Sequence, residues 1–163
     1  MGPICICFKL FINKMKSLIT YYSKTGNTKK IASEIAKILK ADVDEIIDLK
    51  KRAGFFGFLI AGKDALFKKT TKINFKKNPT NYDLVVIGTP IWAGTITPAV
   101  RTYLKNNKFK KLAFFSTCAN KNKKGFQQME LLSKKPLVML DLPAKEIKNN
   151  YKTKLNEFCK KLK

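Results

Sequence analysis

The sequence SLITYYSKTGNT, residues 17–28, decides the fold of this chain. Its first half, Ser17–Tyr22, is a short apolar run of the kind found in strands buried on both faces. Its second half, Ser23–Thr28, combines hydroxyl, amide and glycine residues and directly precedes a helix-period segment. The apolar stripe of that segment is Ile31, Ile35, Ile38 and Leu39. A buried strand followed by a polar turn and a helix predicts the opening of a parallel α/β unit.

The same alternation of apolar runs and helix-period segments continues along the chain. The runs are Ser17–Tyr22, Val43–Ile47, Leu84–Gly88, Leu112–Ser116 and Leu137–Leu140. Further helices are predicted from Pro98 and after Pro143. The stripe of this last helix is Ile147, Tyr151, Leu155, Phe158 and Leu162. Strands that alternate with helices predict one α/β domain, with a five-stranded parallel sheet and helices on both faces.

Length and pattern also predict where the domain begins. The chain has 163 residues, which suits one domain. We expect this domain over residues 15–163, because Met15 precedes the first strand almost directly. Residues 1–14 are predicted to be an ill-ordered extension or the result of a misplaced start, with a small surface anchor as the alternative. Their apolar stretch, Ile4–Ile12, is too short for a transmembrane segment, which takes about 20 apolar residues.

The chain lacks some residues that common mechanisms need. It contains no histidine, which excludes an imidazole base, a His-containing nucleophile pair and a His-containing zinc site. Its cysteines form no C-x-x-C motif, and such sparse usage is typical of a reducing cytoplasm. They are Cys5, Cys7, Cys118 and Cys159. We therefore expect a cytoplasmic protein whose chemistry comes from a cofactor or from hydroxyl, amide and lysine groups.

The turn at Ser23–Thr28 has the composition of an anion-binding site. Backbone N–H groups at a helix N-terminus and the helix dipole both attract an anion, and the hydroxyl groups add further donors. Gly26 is expected to let the backbone curl around the anion, where a Cβ would collide. The turn is neither a Walker loop nor a G-x-G-x-x-G loop. Simple helix capping needs only one such residue, so the sequence favours an anion site.

The motif S-x-T-G-N-T at residues 23–28 resembles the phosphate loop of the flavodoxin family. Two further loops extend the resemblance: Gly88–Gly94 after the third strand and Ser116–Asn120 after the fourth. It spans roughly Lys16 to Leu162 and implies a flavodoxin-like three-layer sandwich with strand order 2-1-3-4-5. It also implies FMN at the carboxyl ends of the strands, where open α/β sheets bind ligands. The uninterrupted fifth strand implies the short-chain form.

The resemblance further implies which residues contact the cofactor. The first loop would hold the FMN phosphate, and the other two would line the flavin ring. Trp92 offers a large flat face for stacking, with a buried core indole as the alternative. Cys118 is expected to be a small neutral contact, with a redox thiol as the alternative. The implied contacts are Ser23, Lys24, Thr25, Gly26, Asn27, Thr28, Thr89, Pro90, Ile91, Trp92, Ala93, Gly94, Thr117, Cys118 and Ala119.

Two features depart from the usual family pattern. Many flavodoxins place a second aromatic residue in the third loop, whereas here the nearest one is Phe126. One flavin face is therefore expected to be open to a planar substrate or a nicotinamide. Flavodoxins are also typically acidic, whereas this chain has a net charge of +23, with Lys121, Lys123 and Lys124 beside the third loop. These lysines form either an ordinary solvated surface or a cationic rim around the flavin.

The leading functional interpretation is an FMN electron carrier between redox proteins whose docking surfaces are acidic. The alternative is an FMN-dependent NAD(P)H:acceptor oxidoreductase of the quinone type. Specific nucleic-acid binding is not expected, because only Arg52 and Arg101 are arginines and helices cover the sheet. The Ala53–Phe67 stretch, flanked by lysines, is either a crossover helix or an exposed apolar patch for a partner subunit or an acidic membrane.

Overall fold

A parallel sheet forms the centre of the computed structural model, which describes residues 15–50, 62–120 and 123–163. In chain order the strands are β1 (Ser17–Tyr21), β2 (Asp42–Glu45), β3 (Ile47–Asp48), β4 (Ile73–Asn74), β5 (Leu84–Trp92), β6 (Thr95–Ile96), β7 (Lys111–Cys118) and β8 (Met139–Pro143). The parallel pairs follow the order β2-β1-β5-β7-β8. This is the predicted order 2-1-3-4-5, so the fold prediction is confirmed.

Helices cover both faces of this sheet. They are α1 (Asn27–Leu39), α2 (Pro98–Asn106), α3 (Lys123–Leu132), α4 (Ala144–Asn149) and α5 (Lys152–Lys160). Residues 62–66 are also helical, and Pro79–Asn81 form a 3-10 turn. One core contains Ile35 of α1 and Phe158 of α5, and the opposite core contains Val100 of α2 and Met129 of α3. The molecule therefore has the three layers that the sequence predicts.

The central strands are buried on both faces. Leu18 and Ile19 are consecutive residues of β1, and both are fully buried, in opposite cores. The same prediction is wrong for the outer strands, where Val43 of β2 is 39% exposed and Met139 of β8 is 50% exposed. Strands at the edge of a sheet have a neighbour on one side alone, so fewer side chains cover them. The fifth strand also begins at Met139, two residues later than Leu137.

Two local elements differ from the sequence expectation. The C-terminal stripe does not form one helix but α4 and α5, because Asn150 has a non-helical backbone with φ −148° and ψ 85°. Tyr151 still joins the core, and its hydroxyl donates to Glu34 Oε1 at 2.6 Å. The short antiparallel pair of β3 and β4 was not predicted, since each strand has two residues and no periodic signal.

Several predicted segments lie outside the described residues. These are the extension at 1–14 with Cys5 and Cys7, most of the Ala53–Phe67 stretch (residues 53–61), Arg52 and Lys121. Within the ranges that the structure does describe, no helix is long and apolar enough to cross a membrane.

Candidate functional site

A pocket of about 250 Å³ opens where β5, β7 and β8 end. Residues from all three predicted loops line it, together with two residues of α4. The lining residues are Thr25, Asn27, Pro90, Ile91, Trp92, Thr117, Cys118, Ala119, Ala144 and Ile147. The carboxyl ends of neighbouring parallel strands lie at one edge of the sheet, which explains how loops so distant in sequence meet here.

The first loop leads from β1 into the N-terminus of α1. Gly26 has φ +88°, and a Cβ there would meet no protein atom within 4 Å. The positive φ is therefore a reason for glycine at this position, in addition to the expected closeness of a bound anion. The Ser23 hydroxyl accepts hydrogen bonds from the N–H groups of Gly26 at 3.2 Å and Lys29 at 3.3 Å. These bonds close the loop around the first turn of α1.

The second loop is a β-hairpin and not an irregular loop. β5 continues past Gly88 to Trp92, and the chain returns as β6 with Trp92 paired to Thr95. The turn residues Ala93 and Gly94 have φ of +47° and +74°. Two consecutive positive φ values match the tight turn that suits the twist of a hairpin. The hairpin places Pro90, Ile91 and Trp92 along one wall of the pocket.

Two neighbours fix the half-buried indole of Trp92 in this wall. The Tyr22 ring meets it edge to face, with centroids 5.6 Å apart and planes at 83°. The Lys24 ammonium lies 5.7 Å from the indole centroid, within the range of a cation–π contact. The first loop thus contacts the second through the Lys24 side chain.

The third loop is joined to both the first loop and β8. Thr117 and Thr28 share a buried hydrogen bond of 2.8 Å between their hydroxyl groups. Asp141 of β8 accepts hydrogen bonds from the Ser116 hydroxyl and from the Cys118 thiol, the latter at 3.1 Å. Burial, followed by this bond to Asp141, raises the pKa of Cys118 to about 12. The thiol is therefore protonated at neutral pH, as expected of a neutral contact.

The structure distributes the remaining predicted residues around the pocket. Ser23, Lys24 and Gly26 belong to the first loop but do not line the cavity, and Ala93 and Gly94 are exposed at the hairpin turn. Thr89 is fully buried below the hairpin, and its hydroxyl donates to the carbonyl oxygen of Pro90 at 2.9 Å. Its side chain therefore supports the loop from inside the core.

Comparison with known proteins identifies the family. The family model described as the flavodoxin domain matches residues 18–141. The chain belongs to the flavodoxin domain family. No curated protein matches this flavodoxin-domain protein in sequence.

Solved structures with the same fold include several flavoproteins. A flavoprotein from Lactobacillus acidophilus, solved in complex with FMN, is 26% identical with a TM-score of 0.65, over 82% of this chain and 97% of that chain. A flavoprotein from Bacteroides eggerthii is 19% identical with a TM-score of 0.63, over 85% and 97%. A WrbA-like flavodoxin from Agrobacterium tumefaciens is 14% identical with a TM-score of 0.51, over 91% and 99%. The last two likenesses concern the fold alone.

Three residues of this flavodoxin-domain protein were missed from sequence. Ala144 and Ile147 line the pocket because α4 begins directly at the end of β8, and Pro143 was the available signal for that helix start. Asp141 was missed because the predicted strand ended at Leu140, whereas β8 continues to Pro143. The signal was an acid between the apolar residues Leu140 and Leu142, since a partly buried carboxylate needs hydrogen-bond donors beside it.

Proposed function

We propose that this protein binds FMN non-covalently in the described pocket and carries electrons between redox proteins. The observation that carries the proposal is the convergence of all three loops on one pocket that contains the single tryptophan. The FMN complex of the Lactobacillus acidophilus flavoprotein supports it, since that protein shares the fold at 26% identity. When bound, FMN supplies reversible electron transfer, and the protein supplies binding and position.

The first loop fits a phosphate group. The N–H groups in the first turn of a helix have no partner within the helix, and they carry the positive end of its dipole. Thr25 and Asn27 stand at this end of α1 with exposed side chains that line the pocket. Ser23 and Thr28 support this site from within the loop, because their hydroxyl groups already bond the N–H groups of Gly26 and Lys29 and the hydroxyl of Thr117. The open donors of the loop would bind a phosphate without an arginine.

The second and third loops fit a flat aromatic ring. Trp92 provides a face that Tyr22 holds in orientation, and Pro90 and Ile91 extend the wall beside it. Cys118 and Ala119 present small neutral groups on the third loop. A neutral thiol, unlike a thiolate, does not repel an electron-rich ring. We therefore assign the flavin ring to this part of the pocket.

Exposed lysines in the segments that border the pocket support an acidic redox partner. We call them the cationic rim: Lys24, Lys123, Lys124, Lys145 and Lys148. The nearby Glu146 is already paired with Lys154 at 2.7 Å, so it offsets little of this charge. Opposite charges on two surfaces raise the rate of their encounter, and salt weakens that attraction. Electron exchange should therefore slow as the ionic strength rises.

One observation favours an enzyme as the second candidate. Trp92 is the single aromatic residue among those that line the pocket in the described part of the chain. The third loop offers Cys118 and Ala119 where a second ring would restrict access. A nicotinamide or a quinone could then approach the flavin. The second candidate is an FMN-dependent NAD(P)H:quinone oxidoreductase, for which steady oxidation of NAD(P)H by a quinone is the direct assay.

The test of FMN binding is a titration of the apoprotein with FMN and with riboflavin, monitored by flavin fluorescence. We expect FMN to bind at least about tenfold more tightly than riboflavin, which lacks the phosphate. Trp92→Leu should weaken both ligands, because the stacking face is lost. Leu131→Ser, at an exposed leucine of α3, is the matched control and should bind both as the wild type does.

Two results would contradict the proposal. If the protein has a normal circular dichroism spectrum but does not bind FMN, the proposed cofactor and the proposed electron-transfer function are both wrong. Equal affinity for FMN and riboflavin would leave a flavin site but remove the phosphate site from the first loop. If FMN binds, turnover of NAD(P)H with a quinone would favour the enzyme over the carrier.

A further inference from the structure

Two apolar side chains project from a short turn beside the hairpin of the second loop. Leu66 is the last of the helical residues 62–66 and Phe67 follows it, and the two side chains are 57% and 63% exposed. Leu49, directly after β3, is also 57% exposed. Adjacent large apolar residues with this exposure on a small protein indicate a surface that contacts something other than water. We call residues 62–69 with Leu49 and Lys50 the 60s turn.

Buried polar contacts hold the 60s turn in place. Asp64 is 4% exposed and receives Lys50 Nζ at 2.7 Å. The Thr95 hydroxyl in β6 donates to the carbonyl oxygen of Ala65 at 3.0 Å. The turn is therefore attached to the hairpin that carries Trp92, and its two apolar side chains stand on a fixed support.

The charge around these side chains is positive. The segments 47–50 and 62–72 contain five lysines, Lys50, Lys63, Lys68, Lys69 and Lys72, and two aspartates, Asp48 and Asp64. Both aspartates are engaged: Asp64 is buried beside Lys50, and Asp48 Oδ1 accepts from the Thr71 hydroxyl at 2.7 Å. The outward surface thus combines exposed leucine and phenylalanine with lysine ammonium groups.

We propose that the 60s turn is a peripheral docking site for an anionic lipid bilayer, into which Leu66 and Phe67 insert. Apolar side chains flanked by basic residues are the combination that binds at the boundary between acyl chains and anionic headgroups. Within the described segments 47–50 and 62–72 all five basic residues are lysines, which are depleted in protein–protein interfaces, where arginine is enriched. A bilayer needs no matched surface shape, so flexible lysines suffice. This inference is independent of the proposed FMN site.

The experiment is sedimentation of the purified full chain with lipid vesicles. One set of vesicles contains phosphatidylcholine alone, and the other contains phosphatidylcholine mixed with phosphatidylglycerol. At about 0.1 M salt, where the Debye length is about 10 Å, we expect binding to the mixed vesicles and not to phosphatidylcholine alone. Raising the salt should weaken the binding. The FMN titration is made on the same preparation, so that failure of one site is distinguished from failure of the other.

Variants distinguish insertion of Leu66 and Phe67 into the bilayer from the general attraction of a basic protein to anionic vesicles. Leu66→Ser with Phe67→Ser should lower the partition coefficient at least about tenfold, because two half-exposed apolar groups no longer insert. Lys63→Gln with Lys72→Gln should lower it about thirtyfold, from the loss of two cationic side chains near the surface. Leu131→Ser, at a leucine that is 86% exposed on α3, is the matched control and should bind as the wild type does.

Three outcomes would overturn the proposal. The first is no binding to the anionic vesicles by the correctly folded wild type. The second is an unchanged partition coefficient for the Leu66→Ser, Phe67→Ser variant, which would mean that charge alone attracts the chain. The third is an equal loss for Leu131→Ser, which would remove the special role of the 60s turn. The first outcome would leave an acidic protein as the ligand to examine for this surface.

Discussion

Two hydroxyl groups join the first and third loops, and we expect their contributions to the free energy of unfolding to depend on each other. Thr28 Oγ1 and Thr117 Oγ1 lie 2.8 Å apart, in residues that are 2% and 6% exposed. Replacing either threonine by valine keeps the shape of the side chain but leaves the other hydroxyl without its partner in a buried position. Replacing both removes the two polar groups together. The single variants should therefore be less stable than the double variant.

The size of the effect follows from the burial of the pair. A buried polar group left without a hydrogen bond costs about 1–3 kcal/mol, whereas replacing both partners by apolar groups of the same shape is nearly neutral. Thr28→Val and Thr117→Val should each lower the free energy of unfolding by about 1–3 kcal/mol. The double variant should lose less than either single variant, so its loss should fall below the sum of the two single losses by about 2–6 kcal/mol. Helix propensity barely changes, because both residues are β-branched.

Urea unfolding of the four apoproteins, followed by circular dichroism, measures these values. At this chain length each 1 kcal/mol also corresponds to a shift of about 2–4 °C in Tm. Strictly additive losses, or a neutral single variant, would refute the reasoning, because either result means that the two hydroxyl groups do not depend on each other. A changed urea slope in one variant would instead report a change in the surface exposed on unfolding.

Three further predictions concern residues close to the pocket. Ala93→Asn should stabilise the protein by up to about 1 kcal/mol, because asparagine tolerates the positive φ of this turn better than alanine; a lower Tm would contradict this. Gly88→Ala should destabilise by about 1–3 kcal/mol, because the new Cβ would lie 2.0 Å from Cζ of the Phe115 ring; a urea midpoint equal to that of the wild type would disprove the clash. Cys118 should stay protonated up to about pH 11, since burial and Asp141 raise its pKa to about 12, and Asp141→Asn should lower that pKa. The thiolate absorbance at alkaline pH, taken as the difference from Cys118→Ser, measures both values, and an unchanged pKa in Asp141→Asn would exclude the carboxylate as a cause.

The raised pKa of Cys118 also determines whether the free energy of unfolding rises or falls as the pH increases. The folded-state pKa of about 12 exceeds the ordinary value of 9.0, so the folded state holds the proton more strongly than the unfolded state does. The stability that this provides is fully present below about pH 9 and is lost as the pH rises toward 12. Tyr21 and Tyr82, whose pKa values burial likewise raises to about 12, act in the same direction. Chemical unfolding between pH 8 and 11 should show this decline, and Cys118→Ser should reduce it.

The sequence was most informative where a run of similar residues has a single structural cause. Continuous apolar runs predicted β1 and β5, whose side chains are buried on both faces, and the Ser23–Thr28 motif predicted the loop before α1. The edges of the sheet were less predictable, because exposure of Val43 depends on which strands have a neighbour on each side. That neighbour relation is set by the whole topology and not by the local pattern.

The candidate site likewise contains residues that the sequence predicted and contacts that it did not predict. Thr25, Asn27 and Trp92 were predicted from their loops and do line the pocket. The Thr28–Thr117 hydrogen bond joins residues 89 positions apart, and no local sequence pattern indicates that these two residues are partners. The break at Asn150 that separates α4 from α5 could not be predicted either, because the apolar stripe continues on both sides of it. Hydrogen bonds between distant residues and small breaks in a helix are thus the features that the sequence pattern does not predict.

The acidic outer strand β2 affects how copies of this chain meet one another. Its four residues include Asp42, Asp44 and Glu45, in a chain with 11 acidic residues in all. The outer strand of a sheet exposes N–H and C=O groups that can pair with a strand of another molecule and start a fibre. Two copies of β2 side by side would bring the carboxylates of Asp42 and Glu45, which are not buried, close to one another, and like charges repel. Asp44 also accepts the N–H groups of Lys76 and Lys77, so that segment partly covers the strand. Aggregation through this edge is therefore disfavoured even when the protein is concentrated.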